Sequence, residues 1–217
     1  MLDWSQVDTV LLDMDGTLLD LSFDNYFWST YVISAFARQN NLSLSTARAQ
    51  LVPKFESIKG TLNWYCLDYW SERLDLDIAA LKAEIQHQVA FRPSAVRFLQ
   101  FLSEQPVEVY LATNAHPKTL EIKLLNANFH QYFNALVTSH ELGAPKEQQE
   151  FWRALQQSLN FDPARTLFID DSQVILEAAE TFGIAHLFGI AQPDSQQPAR
   201  NMLPYHALTS FDEIIPR

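Results

Sequence analysis

Cysteine is almost absent from this chain: Cys66 stands alone among 217 residues, so no internal disulfide can form. That suits a reducing compartment, where thiols stay free. Glycine is scarce as well, at 5, and no low-complexity tract occurs, so little disorder is expected. Positive charge is in deficit, with 15 Lys and Arg against 26 Asp and Glu and a formal net charge of −11. A nucleic-acid polymer requires clustered Lys and Arg, so none is expected as a partner. A small phosphate ligand is not excluded, since a metal, a lysine or a few backbone N–H groups suffice to hold one. No apolar run approaches the roughly 20 residues of a membrane helix. The opening "MLDWSQVDTV" lacks the basic flank and apolar stretch of a signal peptide. The expectation is a cytoplasmic protein with no membrane partner.

What is present is apolar. Hydrophobic residues make up 47% of the chain and charged ones 19%, the profile of a packed globular protein. Short apolar runs that read as buried strands recur at 7–12, 107–112, 135–138, 166–170 and 185–190. Helical patterns separate the later ones, at 117–126, 147–159 and 173–182, the last stopped by Gly183. Strands alternating with helices predict a parallel sheet covered on both faces.

The stretch from 20 to 92 breaks this alternation and reads as all helix. Trp28, Tyr31, Val32, Ala35 and Phe36 form one apolar stripe, and Leu62, Tyr65, Cys66, Tyr69 and Trp70 another on a helix over 61–72. Weaker helices fit 44–58, with Pro53 a kink or break, and 77–90. The predicted fold class is α/β: a Rossmann-like parallel sheet core (1–19 and 93–217) with an inserted all-helical cap (20–92).

Ligands of open parallel sheets bind beyond the carboxyl ends of the strands. The polar residues there are Asp13 and Asp15, then Thr113 and Asn114, then Asp170 and Asp171, with Lys146 in the loop after 135–138. Residues i and i+2 of extended backbone point the same way, so Asp13 and Asp15 can face one bound group. One carboxylate can attack phosphorus while the other moves a proton to the leaving oxygen. Two sets of hard oxygen donors suit Mg²⁺, while Lys146 and the Thr113 hydroxyl would neutralise and orient phosphate oxygens. Taken alone, "DDS" is the mark of a helix N-cap and Lys146 that of a solvated charge. Their placement at successive strand ends of one sheet gives the functional reading its weight.

In order and spacing, "DMDGT", "LATN", "GAPK" and "FIDDS" resemble the four motifs of the haloacid dehalogenase-like hydrolase superfamily, and the helical insert resembles its helical cap. "FDNYFW", "TLNWYCLDYWSE", "TNAHP" and "RTLFIDDS" resemble, more narrowly, bacterial GMP/IMP nucleotidases. The resemblance implies that Asp13 is the nucleophile of a Mg²⁺-dependent phosphatase. Asp15 would be its acid and base, with a backbone carbonyl on the metal. Thr113 and the Asn114 backbone would hold the phosphate, and Lys146 its charge. Asp171 is the first choice as direct metal ligand, with Asp170 a second or water-mediated one. The implied partner is a small phosphorylated metabolite, a purine nucleoside 5′-monophosphate. Trp64, opposite the apolar stripe of its helix, would stack on the base. Asp68, one turn later, would accept from its N1–H. The competing readings are a phosphoglycolate-like or sugar phosphatase, a phosphomutase, a phospho-accepting receiver and an interaction domain. The order of the acids argues against a receiver.

Overall fold

The computed structural model describes residues 2–216. Six parallel strands run β1 (Thr9–Leu12), β2 (Glu108–Thr113), β3 (Ala135–Thr138), β4 (Thr166–Asp170), β5 (His186–Ile190) and β6 (His206–Leu208), in the spatial order β3-β2-β1-β4-β5-β6. β1 and β4 are buried at every residue, which is why they read as unbroken apolar runs. Alternation along them fills two cores. Val10, Leu12, Leu167 and Ile169 pack with Phe98, Leu99 and Phe211 on one face, and Leu11, Ala112 and Phe168 pack with Phe151, Trp152 and Leu176 on the other.

The helices follow in chain order. Between β1 and β2 lie α1 (Ser22–Tyr26), α2 (Val32–Gln39), α3 (Leu44–Ser57), α4 (Leu62–Tyr65), α5 (Leu67–Leu74), α6 (Ile78–Glu84) and α7 (Ala95–Ser103). Then come α8 (Pro117–Asn126), α9 (Ser139–Leu142), α10 (Gln149–Leu159) and α11 (Gln173–Phe182). α7 covers the sheet, and the six before it form the insert. The insert closes a core of its own around Phe23, Phe27, Ile33, Leu51, Leu67, Trp70 and Ile78. Phe55 meets Trp70 edge-on at 4.8 Å.

The chain enters and leaves the insert side by side. Asp20 N–H donates to the Ala90 carbonyl and Arg92 N–H to the Leu18 carbonyl, each at 2.9 Å. These bonds form a two-stranded neck. No helix among the described residues is long and apolar enough to cross a membrane.

Three local expectations need correction. α3 runs through Pro53 rather than breaking, because the carbonyl that proline leaves unmet belongs to Ala49, an exposed residue. A π-turn at Phe27–Tyr31 joins α1 to α2 and shifts the stripe, so that Phe27 and Ile33 are buried and Trp28 only partly so. The helix expected over 61–72 is two, parted at Cys66 in extended backbone. Cys66 Sγ caps α5 by accepting from Tyr69 N–H at 3.4 Å, and Trp70 Nε1 donates to the Trp64 carbonyl at 2.9 Å. The buried set becomes Leu67, Trp70 and Leu74, and Tyr65 is freed to turn toward the sheet.

Candidate active site

Strand register puts the functional side chains at one level. Leu12 pairs with both Leu111 and Ile169, and Thr113 pairs with Thr138, so β1, β2, β3 and β4 end together. Asp13 is the next residue after β1, and its N–H still donates to the Ile169 carbonyl at 3.1 Å. At Gly16 the backbone turns with φ +86°. A Cβ there would sit 2.7 Å from Asp171 Cγ, so only glycine lets the two loops approach.

Lys146 is buried and joins two acids: its Nζ donates to Asp13 Oδ1 at 2.5 Å and to Asp170 Oδ2 at 2.7 Å. Both ends of its backbone are held. Its N–H donates to Asn114 Oδ1 at 2.9 Å, and its carbonyl accepts from Trp152 Nε1 at 2.8 Å. The Asn114 side chain is therefore scaffolding, and what it leaves free is its backbone N–H. Thr113 Oγ1 accepts from Ala115 N–H at 3.0 Å, which leaves the hydroxyl proton free to donate. Asp170 Oδ1 accepts from Ser172 N–H at 2.7 Å, and Asp171 pairs with Arg200 at 2.8 Å.

Carboxylate oxygens of Asp13, Asp170 and Asp171 lie within 4.8 Å of one another. Burial raises Asp13 and Asp170 to about 6, and burial with the Asp13 charge raises Asp171 to about 7. Lys146 is raised too, because the two acids outweigh its burial. Three hard-oxygen donors whose charge the flanking cations do not fully compensate form a donor set suited to a divalent cation.

A carboxyl raised from 3.8 to between 6 and 7 keeps its proton longer in the folded chain than in the unfolded one. Its folded state is thus progressively destabilised as pH rises from about 4 to 7. A cation binding the three acids offsets that loss. Mg²⁺ at a hundredfold its Kd adds about 2.7 kcal/mol, or roughly 5–10 °C in Tm for a chain of this size. Thermal unfolding with and without Mg²⁺ should show the larger rise at pH 8 and a much smaller one at pH 5. An equal rise at both would refute cation binding at these acids.

Asp15, which feels the Asp13 charge, has a cation of its own. Its carboxylate is bound by the Nζ of Lys123, from α8, and that amine also holds Asp24 of α1 at 2.5 Å. Asp24 in turn accepts from Lys82 of α6 at 2.6 Å. Both lysines are buried. Burial raises Asp15 to about 6, whereas the two lysines overcome burial at Asp24 and hold it at about 2. The sequence reading passed over this chain of charges. Lys123 reads as a surface lysine of an amphipathic helix, and Asp24 lies 11 residues past Asp13. A second link was also missed: Tyr65 OH donates to Glu147 Oε1 at 2.6 Å, and Glu147 Oε2 accepts from Asn114 Nδ2 at 3.0 Å. The one available signal was Glu147 standing next to Lys146 in "PKEQ".

Trp64 and Asp68 do not share a helix face, because Cys66 parts α4 from α5. Trp64 is half-buried against the insert's own core, with its ring edge-on to Tyr65 at 4.7 Å. Asp68 is exposed and pairs with Lys118 at 2.5 Å.

A parallel α/β sheet that gathers acids and a buried lysine at its strand ends, beneath a helical insert, is the architecture of a carboxylate-based hydrolase. The chain belongs to the haloacid dehalogenase-like hydrolase family, which it matches over residues 7–183. GMP/IMP nucleotidase YrfG of Escherichia coli strain K12 is 41% identical over 213 residues, 98% of this chain and 96% of its own. A phosphorylated carbohydrates phosphatase of Thermotoga maritima is 22% identical over 216 residues, 96% of this chain and 97% of its own. The crystal structure of a HAD phosphatase from Thermococcus onnurineus superposes with a TM-score of 0.79 at 20% identity, covering 96% of each chain, a likeness that speaks for the fold.

Proposed function

We propose that this chain is a phosphomonoesterase that hydrolyses a purine nucleoside 5′-monophosphate, GMP or IMP, through a phosphorylated Asp13. One observation carries the chemistry: a buried carboxylate whose Oδ1 is held by Lys146 at 2.5 Å, with a second acid two residues on. Lys146 leaves Oδ2 of Asp13 to attack phosphorus. As the P–O bond to the leaving alcohol breaks, Asp15 gives that oxygen its proton. Asp15 then takes a proton from water, whose oxygen attacks the phosphoryl group and releases phosphate and Asp13. Asp15, raised to about 6, keeps a useful share of its acid form near neutral pH. The Thr113 hydroxyl and Asn114 N–H bind phosphate oxygens, and Lys146 counters their charge.

Mg²⁺, when bound, neutralises phosphate charge. Asp13, Asp171 and the Asp15 carbonyl would hold it, with Asp170 bound directly or through water. Asp171→Ala should raise the Mg²⁺ requirement more than Asp170→Ala, as read from activity against Mg²⁺ concentration. The opposite order would make Asp170 the principal ligand. Residues 20–92 act as a cap on the core of 1–19 and 93–217, shielding the phosphorylated acid from solvent.

The likeness to the Escherichia coli GMP/IMP nucleotidase supports the substrate. The test is a panel of GMP, IMP, AMP, phosphoglycolate, sugar phosphates and p-nitrophenyl phosphate with Mg²⁺, read as released inorganic phosphate, which also excludes a mutase. A sugar phosphate or phosphoglycolate outrunning every nucleotide would overturn the substrate but leave the chemistry standing. Within the panel, Trp64→Ala should raise KM for GMP about 5- to 150-fold over its effect on p-nitrophenyl phosphate, as expected when stacking worth roughly 1–3 kcal/mol is lost. Equal losses on both would assign Trp64 to the core of the insert alone.

A further inference from the structure

We propose that Cys66, His116 and His140 form a second metal site, one for a thiolate- and imidazole-binding ion such as Zn²⁺, spanning the junction of insert and sheet. Cys66 lies between α4 and α5, His116 is the N-cap of α8, and His140 lies in α9. One donor atom from each falls within 4.8 Å of the others. Donors around a tetrahedral zinc lie about 3.3–3.8 Å apart, given Zn–N and Zn–S bonds of about 2.0–2.3 Å. Side-chain rotation can close a gap of that size.

An independent observation points to a ligand. Both ring nitrogens of His140 are buried, and neither has a hydrogen-bond partner. Buried polar atoms are nearly always paired, so an orphaned imidazole calls for a reason. Burial and the neighbouring His116 hold His140 at about 4, so its ring is neutral and its lone pair free for a metal. The two imidazoles meet edge-on at 4.7 Å between centroids. The charged groups acting on them are Asp68, 3.8 Å from His116 Nε2, Lys118, which holds Asp68, and Glu121 of α8. Asp68 stands beside the nitrogen that would take the ion, and its negative charge favours a cation there.

Ligation changes two things. The Cys66 thiol gives up its proton to solvent. His116 Nδ1, which accepts from Lys118 N–H at 3.3 Å, must carry a proton or turn away if Nε2 is to bind the ion. Three protein donors leave a fourth position for water. The acidic cluster offers only hard oxygens, so the two sites select different ions. Because the donors come from both the insert and the sheet, an ion here favours the arrangement in which the two meet.

Titration of the full chain with Co²⁺ in excess Mg²⁺ tests the site. The expected result is one equivalent bound, with a thiolate-to-cobalt charge-transfer band that Zn²⁺ removes. Cys66→Ser should abolish the band. His140→Gln should weaken binding at least tenfold, since losing even an outer partner of a ligand costs about 10–100-fold. Tm without metal shows whether each variant folds. In the wild type, Zn²⁺ should slow alkylation of Cys66 by iodoacetamide, a readout that needs no variant. Absence of the band, full affinity in His140→Gln, or Zn²⁺ that excess Mg²⁺ displaces would each overturn the proposal.

Discussion

Asp13→Asn should abolish turnover and leave the chain folded. The amide matches the carboxylate in shape, so the Asp13 N–H bond to the Ile169 carbonyl and the end of β1 survive. What disappears is the charge that makes the oxygen a nucleophile. The electrostatics favour survival of the fold. Asp13, Asp170 and Asp171 stand against two paired cations, Lys146 and Arg200, and Lys146 keeps Asp170 at 2.7 Å when Asp13 is neutral. Removing one of three mutually repelling acids relieves the repulsion that, together with burial, has raised these carboxyls to about 6 and 7. Tm at pH 8 without metal should therefore equal or exceed that of the wild type. Phosphate release and Tm on the same preparation check both halves. Near-normal activity would place the nucleophile elsewhere.

Asp15→Asn should slow turnover rather than abolish it. Losing a general acid and base is worth about 10²–10⁴-fold, and it should appear in both the first-turnover burst and the steady state, since one group serves both steps. Stability should hold. Burial raises Asp15 to about 6 even beside Lys123, so its charge costs the fold at neutral pH. Neutralising it removes that cost, while Lys123 keeps its contact with Asp24. Urea unfolding measures the balance. A loss of about 3–5 kcal/mol, the cost of breaking a buried pair, would mean that Lys123 depends on Asp15 for its charge balance.

The contrast between the two acids follows from features with unequal sequence signals. Asp13, Thr113, Asp170 and Asp171 stand where apolar runs stop, and a buried parallel strand announces its end by the first polar residue. The same logic located β1, β3 and β4. The three residues of β6, and α7 with its apolar face on the sheet, produced too short or too uniform a pattern to be read. Lys123, Asp24 and Lys82 were illegible for another reason. Each sits on a separate helix, and a buried ion pair between helices leaves no periodicity in either. Cys66 shows how one backbone choice can mislead. Periodicity continued smoothly across it, but an extended residue there rotated the following helix and reassigned which side chains are core.

The buried row of charges also bears on how far this molecule can be taken apart and recombined. Lys123 comes from the sheet's side and finds its second acid, Asp24, on the first helix of the insert. A chimera that grafts a foreign insert through the neck between Leu18 and Arg92 would bury Lys123 against whatever residue replaced Asp24. Such a hybrid needs an acid carried over at that one position, or a matching apolar exchange at Lys123, before its new insert can be judged on what it binds. Modularity in this chain thus has a compatibility rule one residue wide.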